Sequence, residues 1–131
     1  MKYISGWQAL NIPNEKGEIA DWHPLLHLDK LEYLDSDAFP WKERGISTFY
    51  SKYLNQEITV ASFARAIADL VYMNKTAQLQ HCVKDFLNDD ETLELYNYLR
   101  ELKNDPRIND FLKYECTRLY FKDIQCLSSI N

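Results

Sequence analysis

The placement of glycine and proline constrains this chain more than any other feature. Gly6, Gly17 and Gly45 all lie in the first 45 residues, as do Pro13, Pro24 and Pro40. All three tryptophans, Trp7, Trp22 and Trp41, fall there too. From Ile46 onward there is no glycine, and Pro106 stands alone. Glycine interrupts regular structure through backbone freedom, and proline through its missing amide donor. The expected result is an irregular, aromatic-rich layer over residues 1–45, laid on a helical body over residues 46–131. A layer that short seldom buries a sufficient core alone, so the 131 residues are expected to form a single domain.

Within the body, residues 58–72 read as the central helix. Phe63, Ile67, Leu70 and Val71 fall on one face of a 3.6-residue repeat. Ala61, Ala64, Ala66 and Ala68 keep the remaining surface slim. Thr59 is placed to cap the first turn, with Ile58 and Phe63 as a hydrophobic staple. Ile46, Phe49, Tyr50 and Tyr53 suggest a short helix before it. Thr76 would cap another, turning Leu79, Val83, Phe86 and Leu87 inward. Asp89 or Asp90 would cap the next, where Leu95, Leu99 and Leu102 form a stripe beside Tyr96 and Tyr98. Asp105-Pro106 marks the sharpest boundary, a capping acid followed by proline at the first helical position. A last helix then runs through Ile108, Phe111, Leu112 and Leu119. The fold class expected is mainly α: a helical bundle of about four to five helices with an irregular N-terminal layer. In that layer, residues 6–13 read as a helical turn or extended segment and residues 14–18 as a surface turn. The leucines of residues 25–34 fit a helix or a strand equally well.

Charge narrows the function classes. The net charge is −5. It is spread evenly, with 8 basic against 10 acidic side chains in residues 1–75 and 7 against 10 in residues 76–131. No basic half exists to bind phosphates, so no direct nucleic-acid partner is expected. No apolar run approaches ~18 residues and no apolar signal core follows the first residues, so no membrane partner is expected either. Cys82, Cys116 and Cys126 form an odd set without C-x-x-C spacing. Reduced, mostly buried thiols in a cytoplasmic protein are the expectation.

The sharpest polar constellation is Asp21-Trp22-His23, with His27 and Asp29 close behind. An Asp21–His23 pair could serve acid–base chemistry, since histidine titrates near neutrality. The structural alternative is Asp21 capping a turn, Trp22 in the core and His23 bonded to a carbonyl. His23 and His27 find no third ligand nearby, so no metal is expected. His81 and Cys82 would point about 100° apart on a helix and do not make a thiol–base pair. No phosphate loop, dinucleotide fingerprint, nucleophile elbow or zinc-protease motif occurs, and no cofactor is expected. The acidic run at residues 89–91 suits a helix start better than a calcium loop. Nine Tyr, six Phe and three Trp exceed the needs of one small core. Trp22, Tyr50, Tyr53, Tyr96 and Tyr98 are therefore the candidate recognition residues, because Trp and Tyr are enriched at interface hot spots.

At Ser5-Gly6-Trp7-Gln8-Ala9-Leu10-Asn11-Ile12 and Ala20-Asp21-Trp22-His23 the chain resembles small bacterial proteins of mobile operons, of the kind that accompany toxins as antitoxins. What that resemblance implies is a soluble, cytosolic partner of another protein, a toxin. The basic DNA-binding arm usual in antitoxins is absent from this sequence. The expected function is a protein-interaction module, antitoxin-like, that binds and neutralises a partner protein, and not an enzyme. The alternative is a small hydrolase or transferase using Asp21 and His23. Self-association is a third possibility.

Overall fold

The computed structural model describes residues 1–20 and 27–130. Among the described residues helices dominate, but two small antiparallel sheets join them, so the fold is mixed α/β rather than a helical bundle. Strand β1 (Lys2–Tyr3) leads into helix α1 (Gly6–Leu10). Strand β2 (Leu34–Asp35) pairs with β1 and runs into a 3-10 turn at Ser36–Ala38. Strands β3 (Ile46–Ser51) and β4 (Gln56–Ala61) form a hairpin in register from Ile46↔Ala61 to Ser51↔Gln56. Five further helices follow among the described residues.

The hairpin corrects the expected helix through Ile46, Phe49, Tyr50 and Tyr53. Those apolar positions fit a helical repeat by coincidence. Ile58-Thr59-Val60 alternates, and Ile46–Ser51 and Gln56–Ala61 are rich in β-branched and aromatic residues that favour a pleated surface. Asn55 closes the turn with a positive φ of 58°, which asparagine tolerates well. On the inner face Ile58 and Val60 enter the core, while Thr48 and Tyr50 face water.

The central helix α2 begins later than expected, spanning Phe63–Tyr72. Ile58, Thr59 and Val60 belong to β4, so Ser62 replaces Thr59 as the cap, its Oγ accepting from the Arg65 amide at 3.1 Å. The stripe of Phe63, Ile67, Leu70 and Val71 is buried as its spacing requires, and Ala64, Ala66 and Ala68 are buried on the other faces. Small side chains there let α1, α4, α5 and β4 all contact this helix.

Helix α3 (Cys82–Phe86) is one turn long and starts after His81, whose φ is 63°. Thr76 opens only a turn, though Leu79 is buried and Val83, Phe86 and Leu87 pack against the core. Helix α4 (Asp89–Arg100) is capped by Asn88 rather than Asp89 or Asp90. Asn88 Oδ1 accepts from the Glu91 amide, and Glu91 Oε1 from the Asn88 amide. Helix α5 (Pro106–Glu115) has the Asp105 cap and the first-position proline expected of it. The single last helix is in fact two, α5 and α6 (Thr117–Ile130), broken at Cys116.

The N-terminal layer is not laid on the body but woven into it. Ile4 lies beside β4, donating its amide to the Thr59 carbonyl at 2.9 Å and accepting from the Ala61 amide at 2.8 Å. Tyr3, Ile4, Leu10, Phe39 and Trp41 share one core with α2, Leu95 and Leu99.

Candidate functional site

Among the described residues, the buried charged side chains are an ion pair inside α2. Arg65 and Asp69 are four residues apart, and both side chains are 0% exposed. Arg65 Nε donates to Asp69 Oδ1 at 2.8 Å. Its Nη1 donates to the Lys42 and Arg44 carbonyls, and its Nη2 to the Tyr3 hydroxyl. Tyr3 in turn donates to Asp69 Oδ2 at 2.5 Å, beside Ser5 Oγ at 2.7 Å. The rings of Tyr3, Phe39 and Trp41 surround the guanidinium at 5.3–5.6 Å. Burial raises the Asp69 carboxyl above its ordinary range, opposed by the hydrogen bonds from Tyr3, Arg65 and Ser5. It also raises the Tyr3 hydroxyl, helped by the carboxylate it bonds. A buried charge pair holds only when its remaining donors and acceptors are matched. Here they are, and the cluster ties β1, the 42–45 turn and α2 together. It is a clamp closed to solvent. The sequence carried one sign of it: an Arg and an Asp at i, i+4 on an otherwise apolar helix.

A second junction sits beside it. Gly45 has a φ of 75°, and a Cβ there would meet the Tyr98 hydroxyl and Arg65 Cβ. The Gly45 carbonyl accepts from the Ser62 amide at 2.7 Å. Glu94 Oε2 accepts from both Ser62 Oγ and Tyr98. Tyr98 is therefore a strut between α4 and the start of α2. Burial and the Glu94 carboxylate push its hydroxyl up from the usual tyrosine range. Tyr96 is likewise spent internally, donating to Asp123, with Arg100 over its ring. Each is 5% exposed, so neither offers the recognition surface expected of it. The stripe of Leu95, Leu99 and Leu102 turns both tyrosines inward.

The outer surface gives the other answer. Tyr50 is 58% and Tyr53 65% exposed at the tip of the β3–β4 hairpin. Tyr50 is held by its hydroxyl, which donates to Asn55 Oδ1 at 2.6 Å. Beside them a cleft of about 540 Å³ lies between the hairpin and residues 12–16, lined by Ile12, Pro13, Phe49, Val60 and Phe63. A neighbouring cleft of about 440 Å³ shares Pro13–Lys16 and Phe49 with it and reaches Tyr50 and Tyr53. Together they make a trough along β3. Its far wall is rigid: Asn14 Oδ1 accepts the amides of Lys16 and Glu18, and the Asn14 amide bonds the Glu18 carbonyl. The sequence showed the turn and the tyrosines but not the trough, which exists only once residues 12–16 and β3 are brought side by side. Another cleft, of about 1040 Å³, separates α4 from α6 and exposes Leu93 and Phe121.

Asp21, Trp22 and His23 lie outside the described residues. Cys82 and Cys116 are buried, as expected of reduced core thiols. Burial pushes Cys116 up to about 12, and burial with the nearby Glu115 carboxylate raises Cys82 further. No group of residues with metal-holding spacing occurs among the described residues, nor any helix there long and apolar enough to cross a membrane. Comparison with protein-family models, curated proteins and solved structures finds no match to this chain.

Proposed function

We propose that this chain is a protein-interaction module, antitoxin-like, that binds and neutralises a partner protein. The observation that carries the reading is the hairpin tip, where Tyr50 and Tyr53 stand out from the body at the end of a trough of mixed apolar and polar lining. Tyrosine is well suited to such a place, because it buries a large rigid ring with few rotatable bonds and keeps a polar tip. The fold behind it is stiffened by the Arg65–Asp69 clamp, so little ordering would be needed on binding. A net charge of −5 favours encounter with a basic partner.

The test is co-purification from the native host, followed by expression of any stoichiometric partner alone and with this chain. A partner that is toxic alone and harmless in the presence of the chain supports neutralisation. Tyr53→Ala should keep the thermal stability of the parent while losing both capture and protection. If Tyr53→Ala captures and protects as well as the parent, the hairpin tip is not the recognition surface. If no partner is toxic alone, neutralisation fails.

A further inference from the structure

We propose that the partner enters as an extended segment, added as an extra strand to the open edge of β3 with its alternate side chains in the trough; this rests on the protein-binding reading above. The phase of the backbone carries the argument. Ile4 bonds the Thr59 carbonyl and the Ala61 amide, so those two residues turn their backbone groups away from β3. In an antiparallel pair, residues directly opposite share the same orientation. Thr48, opposite Thr59, and Ile46, opposite Ala61, therefore turn away from β4, as does Tyr50 one repeat on. The Ile46 amide is taken by the Glu43 carbonyl at 3.2 Å, which agrees with that phase. Thr48 and Tyr50 present their amides and carbonyls outward, and among the described residues no strand pairs with them.

Such an edge is normally blunted by charge, proline or a bulge. Ile46–Ser51 has none of these: it reads Ile-Ser-Thr-Phe-Tyr-Ser and pairs with β4 without a break in register. Strand addition uses an edge of this kind for affinity and alternate pockets beside it for specificity. The pocket side is supplied by Phe49, Ile12, Pro13 and Phe63, so the segment should carry apolar side chains at alternate positions. The 13–17 turn bounds the trough on its far side, which suits one strand better than the edge of a second whole sheet. Glu91 lines one cleft and Lys52 the other, with Glu15 and Lys16 lining both, so a segment of mixed charge meets partners of either sign.

The experiment pans short random peptides displayed on phage against the full chain and remakes the recovered peptides synthetically. The expected peptides carry apolar residues at alternate positions and protect the Thr48 and Tyr50 amides from hydrogen exchange. They should bind Thr48→Pro about tenfold more weakly, because proline removes one outward donor at an edge position that tolerates it. Ser47→Trp, which fills the trough and leaves every donor in place, should weaken them as well. If Thr48→Pro does not fold, amide protection and Ser47→Trp decide the matter. Three results would overturn the inference: recovery of no peptide, equal binding to both variants, or a free chain that dimerises with those amides already protected. Where a toxic partner is captured normally by both trough variants but lost by Tyr53→Ala, strand addition falls and the broader reading stands. Where capture depends on neither surface, both fall.

Discussion

At the scale of single residues, the molecule depends on a few polar atoms placed where water cannot reach. Asp69 accepts from Tyr3, Ser5 and Arg65 at once. Asp69→Leu should therefore cost about 3–5 kcal/mol, since it strands a buried guanidinium, and Arg65→Met should cost a similar amount. Removing both charges with Arg65→Met and Asp69→Leu should cost much less than the sum. Urea unfolding of the single and double variants measures the difference. The thiols give a second prediction. With Cys82 and Cys116 buried and their ionisation raised, iodoacetamide at about pH 8 should label neither in the folded chain and both in urea, read by peptide mass spectrometry.

At the scale of elements, helix ends are where the chain states its intentions most openly. Asp105-Pro106 was legible because an acid and a proline mean one thing in that order. Its carboxyl is held below the ordinary aspartate range by the Arg107 side chain first and the Arg107 amide second. A folded value below the unfolded one stabilises above the ordinary value of ~3.9 and is lost as pH falls through the folded value. Asp105→Asn should cap the helix without that titration, so its melting temperature should fall less steeply than the parent's between about pH 5 and about pH 3. Asn88→Ala, which dismantles a capping box, should cost about 1 kcal/mol in chemical denaturation. The hairpin was misread for a physical reason. Ile46, Phe49, Tyr50 and Tyr53 satisfy a helical repeat and show no period-two alternation of their own, so only pairing with Gln56–Ala61 makes the segment a strand. The cap at Ser62 was hidden by the same error, because a helix begun at Thr59 leaves no place for another start. The face of α2 was legible all the same, since its apolar stripe is set by sequence spacing wherever the helix begins. Of the candidate site, the exposed Tyr50 and Tyr53 were legible by type, whereas Tyr96 and Tyr98 flank the buried leucine stripe; Glu94, one turn before Tyr98, lay at a readable spacing, and Asp123, the partner of Tyr96, did not.

At the scale of the whole molecule, the aromatic layer and the helical body should unfold together. Trp41 Nε1 donates to the Tyr98 carbonyl at 2.8 Å, and Trp7 packs on Phe86. Tryptophan fluorescence reports the layer and far-ultraviolet circular dichroism reports the helices, so their urea transitions should coincide. Separate midpoints would make the layer an independent unit. The Tyr3 and Ser5 bonds to Asp69 also have a meaning in time. The beginning of the chain is anchored by a residue made 66 and 64 positions later. Strand β1 finds β2 earlier in synthesis, yet its final fastening waits until α2 has been made. Closing a loop of that length costs roughly 4 kcal/mol of chain entropy, which slows folding that depends on it. A nascent chain that stops short of Asp69 carries a tyrosine, a serine and a strand with nothing yet to close upon, and completing α2 is what releases the N-terminus from that wait.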